Sequence, residues 1–292
     1  MPRSERAIIP CKIEKNTLHR IEAYAQALKE NAPEIGDHGL TKQEFLDSGL
    51  FQGAIERLRG QQAASMRTKR EFVKQILGFM QAKGEVKEWK SAEASERHDY
   101  EVRMKDDCLC IVETKGALDG NNTNIFQRPP QADEFVIWSL VQNPSSDPRK
   151  NAWSGLHTRL SAEILARNVR VDGVIIWDWV CNTVGRPCPK VRTESRKLTQ
   201  VETRLLPPPC IYLFPKTIPD PRNNPSPACV KLENVKFLAA LHEAFKGNAD
   251  DVVDVQIQAR MEGSELQRKT VFVRNGSEIA ASEWVTVRRA RR

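Results

Sequence analysis

The clearest pattern along the chain lies at residues 65–83, SMRTKREFVKQILGFMQAK. There Phe72, Val73, Ile76, Leu77 and Met80 recur at the spacing of one helix face. Ser65 stands where a cap belongs, and Gly84 is the expected stop. A second stripe, Leu18, Ile21, Tyr24 and Leu28, predicts a helix over 16–31 capped by Asn16 or Thr17, and 42–60 reads as one or two short helices.

The period then changes to two. A strand is expected over 84–89, and Tyr100, Val102 and Met104 alternate with Glu101 and Arg103 as in a half-buried strand. Lys105-Asp106-Asp107 forms a hairpin turn without glycine, and 108–112 is continuously apolar, as in a strand covered on both faces. Residues 119–150 read as a long polar loop holding an apolar island at 135–141, a short helix or strand. A helix over 154–168, with Leu156, Leu160 and Ile164 on one face, leads to a second buried strand at 171–180. Strand, helical crossover and strand is the pattern of a parallel pair. Further on come a strand at 210–215, a proline-rich loop at 216–229 and a helix at 231–246. From 252 to 290 an alternating tail carries Arg274-Asn275-Gly276, the mark of an antiparallel region or small β subdomain. The fold class is therefore α/β, a mixed sheet flanked by helices, with N-terminal helices and a C-terminal β-rich region.

With 292 residues, 40% of them hydrophobic, the chain can bury one large domain or a core with an appendage. No apolar run reaches the roughly 18 residues of a membrane span, and the N-terminus lacks a secretory core. A soluble, cytoplasmic protein is expected, and the seven cysteines are expected to be free thiols. The net charge of +7 suits a polyanionic partner, because each basic residue on a phosphate releases counterions.

Residues 97–116, RHDYEVRMKDDCLCIVETKG, raise the chemical question. Glu113 and Lys115 lie two apart on a strand and share a face. If the turn at 105–107 holds, Asp99 comes beside Glu113, and two carboxylates and an ammonium converge at a strand edge. Two carboxylates make an oxygen site for Mg²⁺, which lowers the pKa of bound water and polarises a phosphoryl oxygen. A lysine beside it orients the water and balances charge. Asp106 and Asp107 are rival acids within the turn, and Glu101 is either a further ligand or a solvated strand residue.

Asp99, then Glu113-Thr114-Lys115 after an apolar run, resembles the PD-(D/E)XK nuclease superfamily, which includes most type II restriction endonucleases. The order of elements over 65–182 is also similar to its core. The resemblance implies a restriction-endonuclease-like core over 65–246, between a helical region at 1–64 and a β-rich extension at 247–292. It implies metal binding by Asp99, Glu113 and the Thr114 carbonyl, assistance of the water by Lys115, and a helix-borne glutamate, for which Glu71 is the match. His98 stands where the family name has proline, and the loop before the next helix is long for this unit.

The expected activity is a Mg²⁺-dependent endonuclease (Mn²⁺ as a substitute) on double-stranded DNA, working as a homodimer and most simply a type II restriction enzyme. The alternatives are a repair, recombination or other antiphage nuclease on the same core, and a catalytically silent DNA-binding protein. Candidate DNA contacts are Asn121, Asn122, Asn124, Gln127 and Arg128, whose side-chain types read base edges, and Arg186, Lys190, Arg192, Arg196 and Lys197. Trp153, Trp177 and Trp179 read as core rather than stacking platforms. The cysteine spacing lacks the paired C-x₂-C of zinc sites, and no P-loop motif occurs.

Overall fold

The computed structural model describes residues 15–36, 38–48, 50, 66–92, 98–116, 128–141, 152–178 and 198–287. Helix α1 spans Lys15–Asn31, close to the expected bounds. Its apolar stripe is not covered at Tyr24, which is 68% exposed. Helix α2 spans Lys42–Asp47 and opens with a reciprocal cap. The Thr41 N–H donates to Glu44 Oε2, and the Glu44 N–H donates to Thr41 Oγ1. The remainder of the 42–60 expectation, from 51 on, lies outside the described residues.

Helix α3 covers Met66–Ala82, and all five residues of its stripe are fully buried. Gly84 ends it with φ at 75°, a left-handed conformation that glycine adopts without a Cβ clash. The Gly84 N–H donates to Gln81 O and the Glu85 N–H to Met80 O, which satisfies two carbonyls of the last turn. The chain then enters an antiparallel meander of β1 (Val86–Ser91), β2 (Tyr100–Met104) and β3 (Leu109–Gly116). The turn between β2 and β3 falls where expected, with Asp107 at φ 66° and its N–H bonded to Met104 O.

The apolar island becomes a full strand, β4 (Glu134–Val141). It pairs in parallel with β3 through Glu113↔Ile137 and with β5 (Gly173–Asp178) through Ile137↔Val174. The two strong strands of the sequence are therefore parallel but not adjacent, and β4 lies between them. Helix α4 (Ala152–Arg167) joins β4 to β5. The island's run is apolar on both faces, so it shows neither the two-residue nor the helical period. Val136 and Trp138 pack in the layer with α3, and Phe135 and Ile137 in the layer with α4.

Strand β6 (Thr199–Val201) and β7 (Arg204–Leu206) form a separate hairpin. Then β8 (Cys210–Leu213) adds antiparallel to β5. Helix α5 (Lys236–Ala244) crosses the face that α3 covers, and Phe237, Leu238 and Leu241 join the same layer. It packs close. A Cβ on Gly173 would meet Leu238 Cδ1 at 2.5 Å.

The C-terminal strands do not form a sheet of their own. Strand β9 (Val252–Glu262) pairs in parallel with β8, and β10 (Glu265–Arg274), β11 (Ser277–Ala281) and β12 (Val285–Thr286) follow antiparallel. Among the described residues the result is a single ten-stranded mixed sheet running β1-β2-β3-β4-β5-β8-β9-β10-β11, with β12 on β10. Asn275-Gly276, at φ 51° and 73°, makes the two-residue turn that matches strand twist.

Two buried carboxylates tie elements together. Asp172 accepts the Phe135 N–H at 2.8 Å and pairs with Arg128 and Arg170 at 2.8 and 3.0 Å. Glu134 accepts the first N–H groups of α5, from Lys236 at 2.5 Å and Phe237 at 3.0 Å. Val235 supplies no side-chain cap there, so a strand over 100 residues away serves as the cap. Burial pushes the Glu134 carboxyl up, against the opposing effect of those two N–H bonds.

Replacing Glu134 by Ala is expected to destabilise the fold by about 1–3 kcal/mol, the cost of stranding buried donors. The sign of the pH effect follows from the raised pKa. The contribution is full below the ordinary value of 4.5 and declines as pH rises through the raised one. In urea unfolding, wild type minus Glu134→Gln should therefore decline as pH is raised above 4.5. A difference flat in pH contradicts it.

Candidate active site at the end of β3

Strand β3 runs past its neighbour. Tyr100 of β2 faces Val112, and residues 113–116 have no β2 residue paired with them. Asp99 closes this open edge. Its N–H donates to Val112 O at 3.2 Å, so Asp99 and Tyr100 oppose a single residue, as in a β-bulge. Its carboxylate then takes the place of a strand acceptor. Oδ2 accepts the Thr114 N–H and the Thr114 hydroxyl, each at 2.7 Å.

In a strand, a residue's N–H and C=O leave on the same side. The Thr114 carbonyl therefore points to the edge that Asp99 occupies. Continued register without the bulge would set Asp99 across from Glu113. The bulge turns it to Thr114 instead.

Glu113 and Lys115 are in phase with Ile111, and Ile111 and Ile137 belong to the α4 layer. Their side chains leave β3 on that face. Glu113 is 2% exposed, and Lys115 Nζ is paired with its Oε1. A carboxylate so far from water is sustained by a partner of opposite charge. Thr114 lies on the opposite face, in line with Val112. Thus one sheet end holds all four residues, with Asp99 bonded to Thr114 in the plane of the sheet and the Glu113–Lys115 pair on the α4 side.

The α3 side chain set against Asp99 is Arg70, with Nη2 3.8 Å from Oδ1. Glu71, the next residue, is exposed. The Tyr100 hydroxyl donates to Arg70 O at 3.3 Å. Burial, then the charge on Asp99, pushes that phenol up to about 12. The sequence alone does not single out Arg70, because a basic residue at the start of an exposed helix face is ordinary. Its only signal was its place beside Glu71.

The rival acids are engaged elsewhere. Asp106 pairs with Lys236 and Asp107 with Lys87. Glu101 pairs with Lys90 at 3.0 Å and lies 3.3 Å from His98 Nε2, as a charged strand-face residue does.

Arg128 is engaged within the fold. Its Nε donates to Ala132 O, its Nη1 to Asp172, and its Nη2 to Asp133 O. These bonds use three of the five guanidinium N–H donors and tie Arg128 to the chain around Asp172. Asn121, Asn122, Asn124, Gln127, Arg186, Lys190, Arg192, Arg196 and Lys197 lie outside the described residues. Trp177 is core, edge-on to Phe72. Cys108, Cys110, Cys210 and Cys229 are free thiols.

Among the described residues, no group of three or more His, Cys, Asp or Glu gathers to hold a metal ion. A Mg²⁺ ion needs only one or two carboxylates and keeps several waters. The hard oxygens of Asp99, Glu113 and the Thr114 carbonyl, at one strand end, fit that donor chemistry.

Comparison of the chain with protein-family models, with curated proteins and with solved structures gives no match. Among the described residues, no helix is long and apolar enough to cross a membrane.

Thr114→Val keeps the shape and the backbone N–H bond to Asp99 but deletes the hydroxyl bond. Urea unfolding is expected to show a loss of about 1 kcal/mol. A change within a few tenths would mean that the hydroxyl does not hold the carboxylate.

Proposed function

We propose that this protein is a Mg²⁺-dependent endonuclease that hydrolyses phosphodiester bonds of double-stranded DNA, most simply a sequence-specific type II restriction enzyme. The observation that carries this reading is the stretch of β3 that runs past its pairing with β2. There the Asp99 carboxylate is hydrogen-bonded to Thr114, one residue from the Glu113–Lys115 pair.

Asp99, Glu113 and the Thr114 carbonyl would hold the ion. When bound, Mg²⁺ acidifies a water and polarises a phosphoryl oxygen. The remaining work falls to the chain. Thr114 fixes the Asp99 carboxylate through two bonds, so Oδ1 is the oxygen left to turn outward. Lys115 neutralises Glu113 at rest, and its ammonium can orient a water and balance charge as it builds on phosphorus. The β1–β3 meander and the α3 layer hold these groups on rigid elements. The net charge of +7 favours a polyanion by counterion release. Two copies related by a two-fold axis would cut both strands of one site.

One observation favours a reading from another class. Glu113 is buried and already paired with a lysine, as expected of a fold that binds DNA without cutting it. Incubating the full chain with plasmid DNA and Mg²⁺ separates the readings. Discrete fragments, reduced about 10³-fold or more in Asp99→Ala and in Lys115→Ala, are expected. Cleavage only at branched or single-stranded sites would point to a repair-type nuclease. DNA binding without cleavage would point to the silent protein, and cutting retained in both variants would reject this site.

A further inference from the structure

The candidate site carries its own cations, and they are held unequally. Lys115 and Glu113 are both withdrawn from solvent, at 15% and 2% exposed. Arg70 is 59% exposed, and it approaches Asp99 Oδ1 only to 3.8 Å. That distance is an ion pair at its outer limit and too long for a hydrogen bond. Thr114 occupies the other oxygen, so Oδ1 is the atom Arg70 watches over. Arg70 is the only charged partner of Asp99 among the described residues.

We infer that Arg70 is a placeholder cation: it neutralises Asp99 in the metal-free protein, yields Oδ1 when a divalent cation binds, and then turns its guanidinium to the scissile phosphate. The inference rests on the reading of Asp99 as a metal-binding carboxylate given above. Two features suit Arg70 to the exchange. Its backbone is anchored by the Tyr100 hydroxyl on its carbonyl, so the side chain can swing from a fixed root. Its planar fork also matches two phosphate oxygens, which a lysine ammonium does not. Lys115 is the wrong cation for this part, because moving it would leave the buried Glu113 carboxylate without its neutralising charge.

The test is Mn²⁺ binding by titration calorimetry on the full chain, as wild type, Arg70→Ala and Arg70→Lys, alongside steady-state cleavage of a DNA duplex. Arg70 is exposed, so the variants are expected to melt like wild type. Removing the competing charge should tighten Mn²⁺ binding by Arg70→Ala roughly three- to tenfold. At saturating Mn²⁺ the same variant should lose roughly tenfold or more in kcat/KM. Arg70→Lys should keep wild-type Mn²⁺ affinity and recover only part of the cleavage. Unchanged or weaker Mn²⁺ binding by Arg70→Ala, with wild type binding normally, overturns the inference and leaves the site reading standing. A wild type that binds no Mn²⁺ overturns both.

Discussion

Strand β3 is held on both sides and both faces, antiparallel to β2 and parallel to β4, with apolar layers above and below. That confinement fixes its register, and a slip of one residue would exchange the environments of Glu113 and Thr114. It also dictates where chemistry can arise. A strand buried on every side has backbone groups left without a partner strand only where a neighbour ends, and β2 ends at Tyr100. The four residues of interest gather there because the pairing stops.

An open strand edge has a cost of its own. Among the described residues, no strand pairs with β3 on the side to which the Thr114 N–H and C=O leave, and unsatisfied backbone groups near a core are unfavourable. Asp99 answers the N–H with its carboxylate, helped by a bulge that swings it into place. One side chain thus completes the sheet and offers an oxygen outward. The same logic governs charge. Each carboxylate has a cation near it, Lys115 on Glu113 and Arg70 beside Asp99, so the resting site stands close to neutral. A neutralised site is stable without a ligand and gives up its more exposed cation more readily than its buried one.

Away from this edge, the fold relies on polar ties that join segments distant in sequence. Glu134 caps α5 from the middle of the sheet, and Asp172 binds two arginines and a backbone N–H. Arg128 adds to these ties through a carboxylate and two carbonyls.

Local pattern determined a good deal by itself. The α3 stripe, the Gly84 stop, the β2–β3 hairpin and the Asn275-Gly276 turn follow from contacts within a few residues, so the sequence carries them openly. The pairing of Glu113 and Lys115 on one face is equally local, since it depends only on the period of a strand. Tertiary structure alone decided the rest. That 135–141 is a strand between β3 and β5, and that the C-terminal strands extend the central sheet, depends on partners far along the chain. Whether Asp99 meets Glu113 or Thr114 depended on one bulge, and the arrival of Arg70 depended on how α3 lies across the sheet. Periodicity records which face a residue turns to the core. It does not record what waits on the other side.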